Sequence, residues 1–272
     1  MSNKSTAVTR KAPHIARGQV MVAALANLAH ELRCAREAGI GCEVQCFMLP
    51  EHLSGDVMAA ARRFKKRLQD LKGTIGFHGA FIDTVHYSTD PEIAAVARRR
   101  YHQAFELAEL FEARYIVFHS QYNPSIKVPI YPRLYHEQSL RFWPEFIALA
   151  ERKNIPIYLE NMFDDSPQPV SALAKEFDSP HLKLCLDVAH AEIFSDIDFG
   201  AWVDAYGPHL RHVHINDCMG ELDDHLGLGQ GVLDIPRAIS LLKRTRLPLT
   251  YVLETGKHTG ASLRYLGLAK GK

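Results

Sequence analysis

Six short apolar runs in this chain close on a histidine or a carboxylate. They are Thr74-Ile-Gly-Phe-His78, Tyr115-Ile-Val-Phe-His119, Ile155-Pro-Ile-Tyr-Leu-Glu160, Leu182-Lys-Leu-Cys-Leu-Asp187, Arg211-His-Val-His214 and Thr250-Tyr-Val-Leu-Glu254. Glu160, Asp187, His214 and Glu254 make a set of three carboxylates and one imidazole, which suits a hard or borderline divalent cation such as Mn, Mg, Co or Zn. Gathered without a cation, the three carboxylates would repel, and one would need a much raised pKa. His78 and His119 lie beside Glu160, as further metal ligands or as substrate contacts. His190 follows Asp187 by three residues, and Asp223 and His225 lie in a glycine-bearing loop after His214. These three are candidates for metal or for substrate binding, since loop residues do both. Nine ligand-type side chains could hold one to three ions.

The spacing says what must position them. The closing residues follow one another at intervals of 41, 41, 27, 27 and 40 residues, each long enough for a loop, a helix and the next strand. Helices are expected near 55–72, 91–112, 134–153, 169–178, 199–206 and 235–245, from apolar spacings of three and four such as Ala104, Leu107, Ala108 and Phe111. Near-continuous apolar strands that alternate with helices indicate a parallel sheet covered on both sides. Polar residues that repeatedly close such strands converge at one mouth of a barrel. The expected fold is therefore α/β, a TIM (β/α)8 barrel. Glu43-Val-Gln-Cys-Phe47 supplies a seventh strand. An eighth is expected around His14 to Val20, before a helix at 20–38, and the first strand reads as degenerate because Gly18 interrupts it.

Residues 1–272 read as one domain, with 1–12 a loose polar tail; no linker or repeat divides them. Hydrophobic residues make up 47% and charged residues 23%, enough to bury a large core, and the net charge of +1 favours neither nucleic acid nor membrane surface. No apolar run is long enough to span a bilayer. Five cysteines without a CxxC pair suit a reducing cytoplasm, and a cytoplasmic location is expected. Gly227-Leu-Gly-Gln-Gly231 lacks the Lys-Ser/Thr ending of a phosphate loop. His212 shares a strand face with His214 one layer deeper and reads as a buried structural residue.

The motifs together resemble the xylose isomerase-like barrel superfamily, which includes sugar (phosphate) isomerases and epimerases and endonuclease IV (AP endonuclease family 2). The resemblance rests on Phe77-His78-Gly79, Val117-Phe-His119, Leu159-Glu160-Asn161, Cys185-Leu-Asp187-Val-Ala-His190, His212-Val-His214-Ile-Asn-Asp217, Asp223-Asp-His225 with Gly227 to Gly231, and Leu253-Glu254. It implies that Glu160, Asp187, His214 and Glu254 are the metal ligands common to both branches. In the epimerase branch the residues matching Glu160 and Glu254 also exchange the substrate proton. In the endonuclease branch His78 and His119 hold one zinc with Glu160, and His190, Asp223 and His225 hold another. Two departures separate this chain from endonuclease IV: Ser120-Gln-Tyr-Asn stands where Pro-Gly usually follows the ligand matching His119, and Asn161-Met-Phe-Asp-Asp replaces a Gly-rich loop.

Charge at the mouth distinguishes the branches. The expected loops carry Asp83, Asp90, Asp164, Asp165, Glu192, Asp196, Asp198, Asp217, Glu221, Asp223 and Asp224 against Lys127, Arg133 and Lys257. A DNA groove needs several cations aimed at phosphates. The sequence therefore favours a divalent-metal-dependent isomerase or epimerase acting on a small sugar or sugar phosphate. The alternative is a zinc phosphodiesterase of the endonuclease IV type acting on abasic DNA. Assembly into an oligomer is compatible with either.

Overall fold

A computed structural model describes residues 13–25, 28–81 and 83–269; the tail expected at 1–12 lies outside them. Eight parallel strands close into a barrel in chain order: β1 (Val20–Ala24), β2 (Gly41–Val44), β3 (Ile75–His78), β4 (Ile116–His119), β5 (Ile157–Glu160), β6 (Leu182–Asp187), β7 (Leu210–Ile215) and β8 (Thr250–Leu253). The helices outside are α1 (Leu28–Ala38), α2 (Val57–Lys65), α3 (Pro91–Phe111), α4 (Tyr131–Lys153), α5 (Gln168–Phe177), α6 (Val188–Ile193), α7 (Phe199–Tyr206), α8 (Ile235–Arg244) and α9 (Thr259–Tyr265). This is the α/β TIM barrel that the alternation of strand and helix patterns requires.

The first strand differs from the sequence expectation. It is not degenerate and does not lie at 14–20, where a single 3-10 turn, Arg17–Gln19, is found instead. Val20-Met-Val-Ala-Ala24 is buried at every position and pairs with both β2 and β8, closing the barrel. Met and Ala favour helices in isolation, but burial on both faces and two ladders of hydrogen bonds outweigh that preference. The helix that follows starts eight residues later than expected, at Leu28.

Period-two alternation divides the core in two. Val20, Val22 and Ala24, with Phe77, Ile116, Phe118, Ile157 and Leu159, face the helices in one large apolar cluster. Met21, Ala23, Tyr115, Val117, Cys185 and Val252 form a smaller cluster inside the barrel. The polar strand ends share this inward face. The register sets His119 beside Glu160 and Asp187 beside His214, so the ends of neighbouring strands present ligand-type groups at one level. Gly76 is required in β3 because a Cβ there would stand 2.3 Å from the Tyr115 ring, which crosses the barrel interior.

Candidate metal centre

The C-terminal mouth of the barrel gathers all nine ligand-type residues. Glu160 lies at the centre. Its Oε1 is 2.9 Å from His214 Nδ1, and its Oε2 is 3.3 Å from Nε2 of both His78 and His119. Glu254, the first residue beyond β8, brings Oε1 within 3.3 Å of the same His214 Nδ1. Asp187 closes β6 and caps α6: its Oδ1 accepts the His190 backbone N–H at 2.7 Å. Asp223 Oδ2 lies between His190 Nε2 at 3.4 Å and His225 Nε2 at 2.9 Å. Among the described residues four triads have ligand atoms mutually within 4.8 Å: His78, Glu160 and His214; Glu43, His214 and Glu254; Glu160, Asp187 and His190; and, a layer deeper, Cys185, His212 and His214. All the residues in these triads are buried.

The histidines are held in a common way. Nδ1–H donates to a backbone carbonyl in three of them: His78 to Gly79 at 2.9 Å, His190 to Asn161 at 2.9 Å and His225 to Glu254 at 2.8 Å. Each thereby has its Nε2 turned towards the carboxylates. A ring nitrogen fixed by an outer partner while the other faces acidic groups is the usual posture of a metal-binding imidazole. His119 differs, because its Nδ1 has no partner among the described residues. Buried Asp187 Oδ2 and Asp223 Oδ1 are also without hydrogen-bond partners among them. Buried carboxylate oxygens are costly to leave bare. These orphaned atoms and the oriented imidazoles fit a divalent cation.

The electrostatics of these side chains agree. Burial disfavours the Glu160 carboxylate, but the His214 and His119 imidazoles outweigh it and hold its pKa well below the usual range. Burial also disfavours the charged form of His214, yet Cys185, Glu160, Glu254 and Glu43 raise its pKa well above the ordinary imidazole value. Asp187 is pushed up to about 7 by burial, helped by Glu254 and Glu160 and opposed by His190. Burial of His225 is outweighed by the Asp223 hydrogen bond, which raises it to about 9. Protons therefore sit where a cation would otherwise balance the carboxylates.

Several residues of the site were not singled out in the sequence. Glu43, inside β2, lies fully buried beneath His214. Asn161 ties β5 to β6: its side chain accepts from the Asp187 N–H at 2.8 Å and donates to the Asp187 carbonyl at 3.1 Å. Asp164 is buried and accepts from Ser120 Oγ at 2.5 Å. Asp217 accepts backbone N–H groups from Cys218, Gly229, Gly231 and Leu233 at 2.9 to 3.1 Å. The glycine-rich loop thus wraps an internal carboxylate, and a Cβ at Gly231 would stand 2.3 Å from Asp217 Oδ1. His212 is fully buried, one layer below His214.

The rim is less acidic than the sequence implies. Asp164 and Asp217 are buried, Asp90 and Asp198 cap α3 and α7, Asp223 pairs with histidines and Asp224 accepts from the Met219 N–H. Asp83, Asp90, Asp165, Glu192, Asp196, Asp198, Glu221 and Asp224 remain as exposed carboxylates, Asp198 paired with Arg237, against exposed Lys127, Arg133 and Lys257. Arg133 is partly engaged with Glu137 at 3.5 Å. The sign of the rim is unchanged and its surplus is smaller. The cavity that reaches the ligand atoms has a volume of about 100 Å³ and is lined by Gln45, His78, His119, Glu160, His190 and Glu254 among others. A larger cavity of about 610 Å³ opens at the opposite end of the barrel, around Arg17, Gly41, Lys72 and Thr74. It has no comparable group of ligand atoms among the described residues, so the chemistry is assigned to the C-terminal mouth.

MJ1311 of Methanocaldococcus jannaschii is 24% identical over 173 residues, 61% of this chain, and the match spans only 59% of that relative's length. Among solved structures, the TTHB071 protein from Thermus thermophilus, studied after soaking with ZnCl2, has a TM-score of 0.73 at 29% identity, covering 93% of this chain and 99% of the other. D-allulose 3-epimerase from Methylomonas sp. in complex with D-allulose has a TM-score of 0.72 at 18% identity, covering 96% and 100%, a likeness of fold. The family model described as xylose isomerase-like TIM barrel matches residues 24–267, and the chain belongs to that family.

Proposed function

We propose that this protein is a divalent-metal-dependent isomerase or epimerase of a small sugar or sugar phosphate, with Glu160 and Glu254 as its acid–base pair. One observation carries the reading: two buried carboxylates converge on a single imidazole nitrogen, Glu160 at 2.9 Å and Glu254 at 3.3 Å from His214 Nδ1. The residues suited to hold the ion are Glu160, Asp187, His214 and Glu254. Bound there, a divalent ion would supply Lewis-acid polarisation of a hydroxy-carbonyl substrate and acidify its α-carbon. One glutamate takes the α-proton onto a carboxylate oxygen, and the other delivers a proton to carbon; delivery to the opposite face of the same carbon inverts the centre, and delivery to the former carbonyl carbon, with the hydroxyl proton passing to the former carbonyl oxygen, isomerises it. His78 and His190 offer ring nitrogens to substrate hydroxyls, and the depth of the site excludes bulk water. The zinc-soaked Thermus protein and the D-allulose complex support a metal and a ketose-sized ligand in this fold.

A second reading is favoured by a separate observation. His78 and His119 meet at Glu160, and His190 and His225 meet at Asp223, which suits a multi-zinc phosphodiesterase acting on abasic DNA. Exposed rim carboxylates oppose a polyanion, so the small-molecule reading stands first. Metal counting after chelation and reloading separates the two: one ion per chain supports the isomerase, and three zinc ions support the nuclease. Glu254→Gln keeps the shape but removes a charge and a base. It is expected to weaken metal binding and abolish turnover while the circular dichroism spectrum stays unchanged; undiminished turnover excludes Glu254 from the chemistry.

A further inference from the structure

Glu43 offers no ligand to the mouth in the functional reading above, yet it is fully buried, accepts three hydrogen bonds and meets a fourth group in a close ion-pair contact. Its Oε2 accepts from Tyr115 Oη at 2.8 Å and from His212 Nε2 at 3.0 Å. Its Oε1 accepts from Gln45 Nε2 at 2.9 Å and lies 3.1 Å from His214 Nε2. Three donors and one imidazole nitrogen surround the lone-pair sites of one ionised carboxylate. The two oxygens serve different parts of the barrel: Oε2 faces the core layer, and Oε1 faces the site.

The two histidines show what this does. Both turn Nε2 to Glu43, His212 in a hydrogen bond and His214 in a 3.1 Å contact outside hydrogen-bond geometry. His212 Nδ1 then accepts from the Thr250 hydroxyl at 2.6 Å, so its ring is satisfied as a structural group. His214 Nδ1 meets no hydroxyl; it faces Glu160 and Glu254. Gln45 extends the arrangement, because its amide nitrogen also donates to Glu254 Oε1. A carboxylate that takes the outer N–H of a metal-binding imidazole fixes both its tautomer and its orientation.

We propose that Glu43 is the positioning residue of the centre: through Oε1 it fixes His214 as the Nε2–H tautomer, with Nδ1 as the ligand atom, and through Gln45 it aligns Glu254. The inference rests on the metal-site reading above. In Glu43→Gln, the amide has one acceptor oxygen where the carboxylate has two, so the two Nε2–H groups cannot both be accepted. Calorimetric titration with Mn²⁺ or Zn²⁺ should then show binding about 10- to 100-fold weaker than in the natural protein. Tyr115→Phe removes a donor from Oε2 alone; it should lower the melting temperature as a buried structural change does, while metal affinity stays within about threefold. Long-range ¹H–¹⁵N spectra of the Zn²⁺-loaded natural protein should show His214 protonated at Nε2 and metal-bound at Nδ1. Equal losses of affinity in the two variants, or unchanged affinity in Glu43→Gln, would overturn the proposal. Should Glu43→Gln not fold, the spectrum decides, and a His214 protonated at Nδ1 overturns it. A natural protein that binds neither ion overturns the metal-site reading and this inference with it; binding that ignores Glu43 overturns the inference alone.

Discussion

Replacing Asp217 by Asn should loosen the loop that carries Asp223 and His225. Asp217 is fully buried, and its two oxygens accept two N–H groups each: Cys218 and Leu233 on Oδ1, and Gly229 and Gly231 on Oδ2. Hydrogen bonds to a charged group contribute about 1.5–3 kcal/mol each. The amide keeps one oxygen, so two of the four bonds remain in weaker, neutral form. The other two are replaced by N–H groups pointing at N–H groups. The local loss is about 3–6 kcal/mol. It falls on one loop, so it should appear mainly as local opening rather than as loss of the whole barrel. Amide hydrogen exchange by NMR is the assay. The amides of Gly229, Gly231 and Leu233 should exchange at least about 100-fold faster, since about 1.4 kcal/mol corresponds to a factor of ten. Val117 and Phe118, inside β4, should change far less. The hydrogen bond from His225 Nδ1 to the Glu254 carbonyl should weaken in parallel. Exchange of the loop amides within a factor of about three of the natural protein would refute the view that this carboxylate organises the loop.

Two further outcomes follow from the buried carboxyls. Burial raises Asp164 from 3.8 to about 7, so its protonated form is favoured in the fold. Stability is then lost as pH rises from about 4 to 7, where the unfolded chain ionises first, by at most about 4 kcal/mol at about 1.4 kcal/mol per pKa unit. Asp164→Asn lacks this penalty and should match the natural protein in urea titrations near pH 4 and exceed it at pH 8; equal stability at both pH values would contradict the burial argument. Asp187 is raised to about 7 and His214 well above the ordinary imidazole value, and ligands must lose protons to bind a cation. Calorimetry at pH 7 in buffers of different ionisation enthalpy should therefore report more than one proton released per ion, with affinity rising towards pH 8. No proton release would mean that these groups do not meet the metal.

The strand ends were legible because of how a parallel barrel is built. Strands covered on both faces tolerate polar groups only where they emerge, so His78, His119, Glu160 and Asp187 stand out as the last residues of β3 to β6. Glu254 stands out the same way, one residue beyond β8. The first strand was misread because Met21, Ala23 and Ala24 carry no β preference of their own; only pairing with β2 and β8 makes that segment extended. Asp187 marked a strand end, but the short helix α6 that it caps was not visible from periodicity, being less than two turns long. The buried roles of Glu43, Asn161, Asp164 and Asp217 were not visible, although Asp164 and Asp217 were read as rim carboxylates and Asn161 within a motif, because each role is set by a partner elsewhere along the chain. Glu43 meets residues from other strands or their ends, and nothing local marks it except a carboxylate between buried Cys42 and Val44. The glycine-rich loop shows the opposite error that sequence invites. Gly229 and Gly231 resemble a phosphate cradle by composition, yet their N–H groups are spent on Asp217, 12 and 14 residues earlier.

The central claim is that Glu160 and Glu254 move a proton at carbon on a small hydroxy-carbonyl substrate. Proton NMR in heavy water tests it most directly, with protein reloaded with Mn²⁺, Co²⁺ or Zn²⁺ and then freed of excess ion, against a panel of ketoses and ketose phosphates. At least one should incorporate deuterium at its α-carbon and convert to its epimer or aldose, with both processes lost after chelation and in Glu254→Gln. If no sugar exchanges, while an abasic duplex is cut efficiently at moderate salt, the claim is wrong, and the nine residues at the mouth serve a zinc nuclease instead.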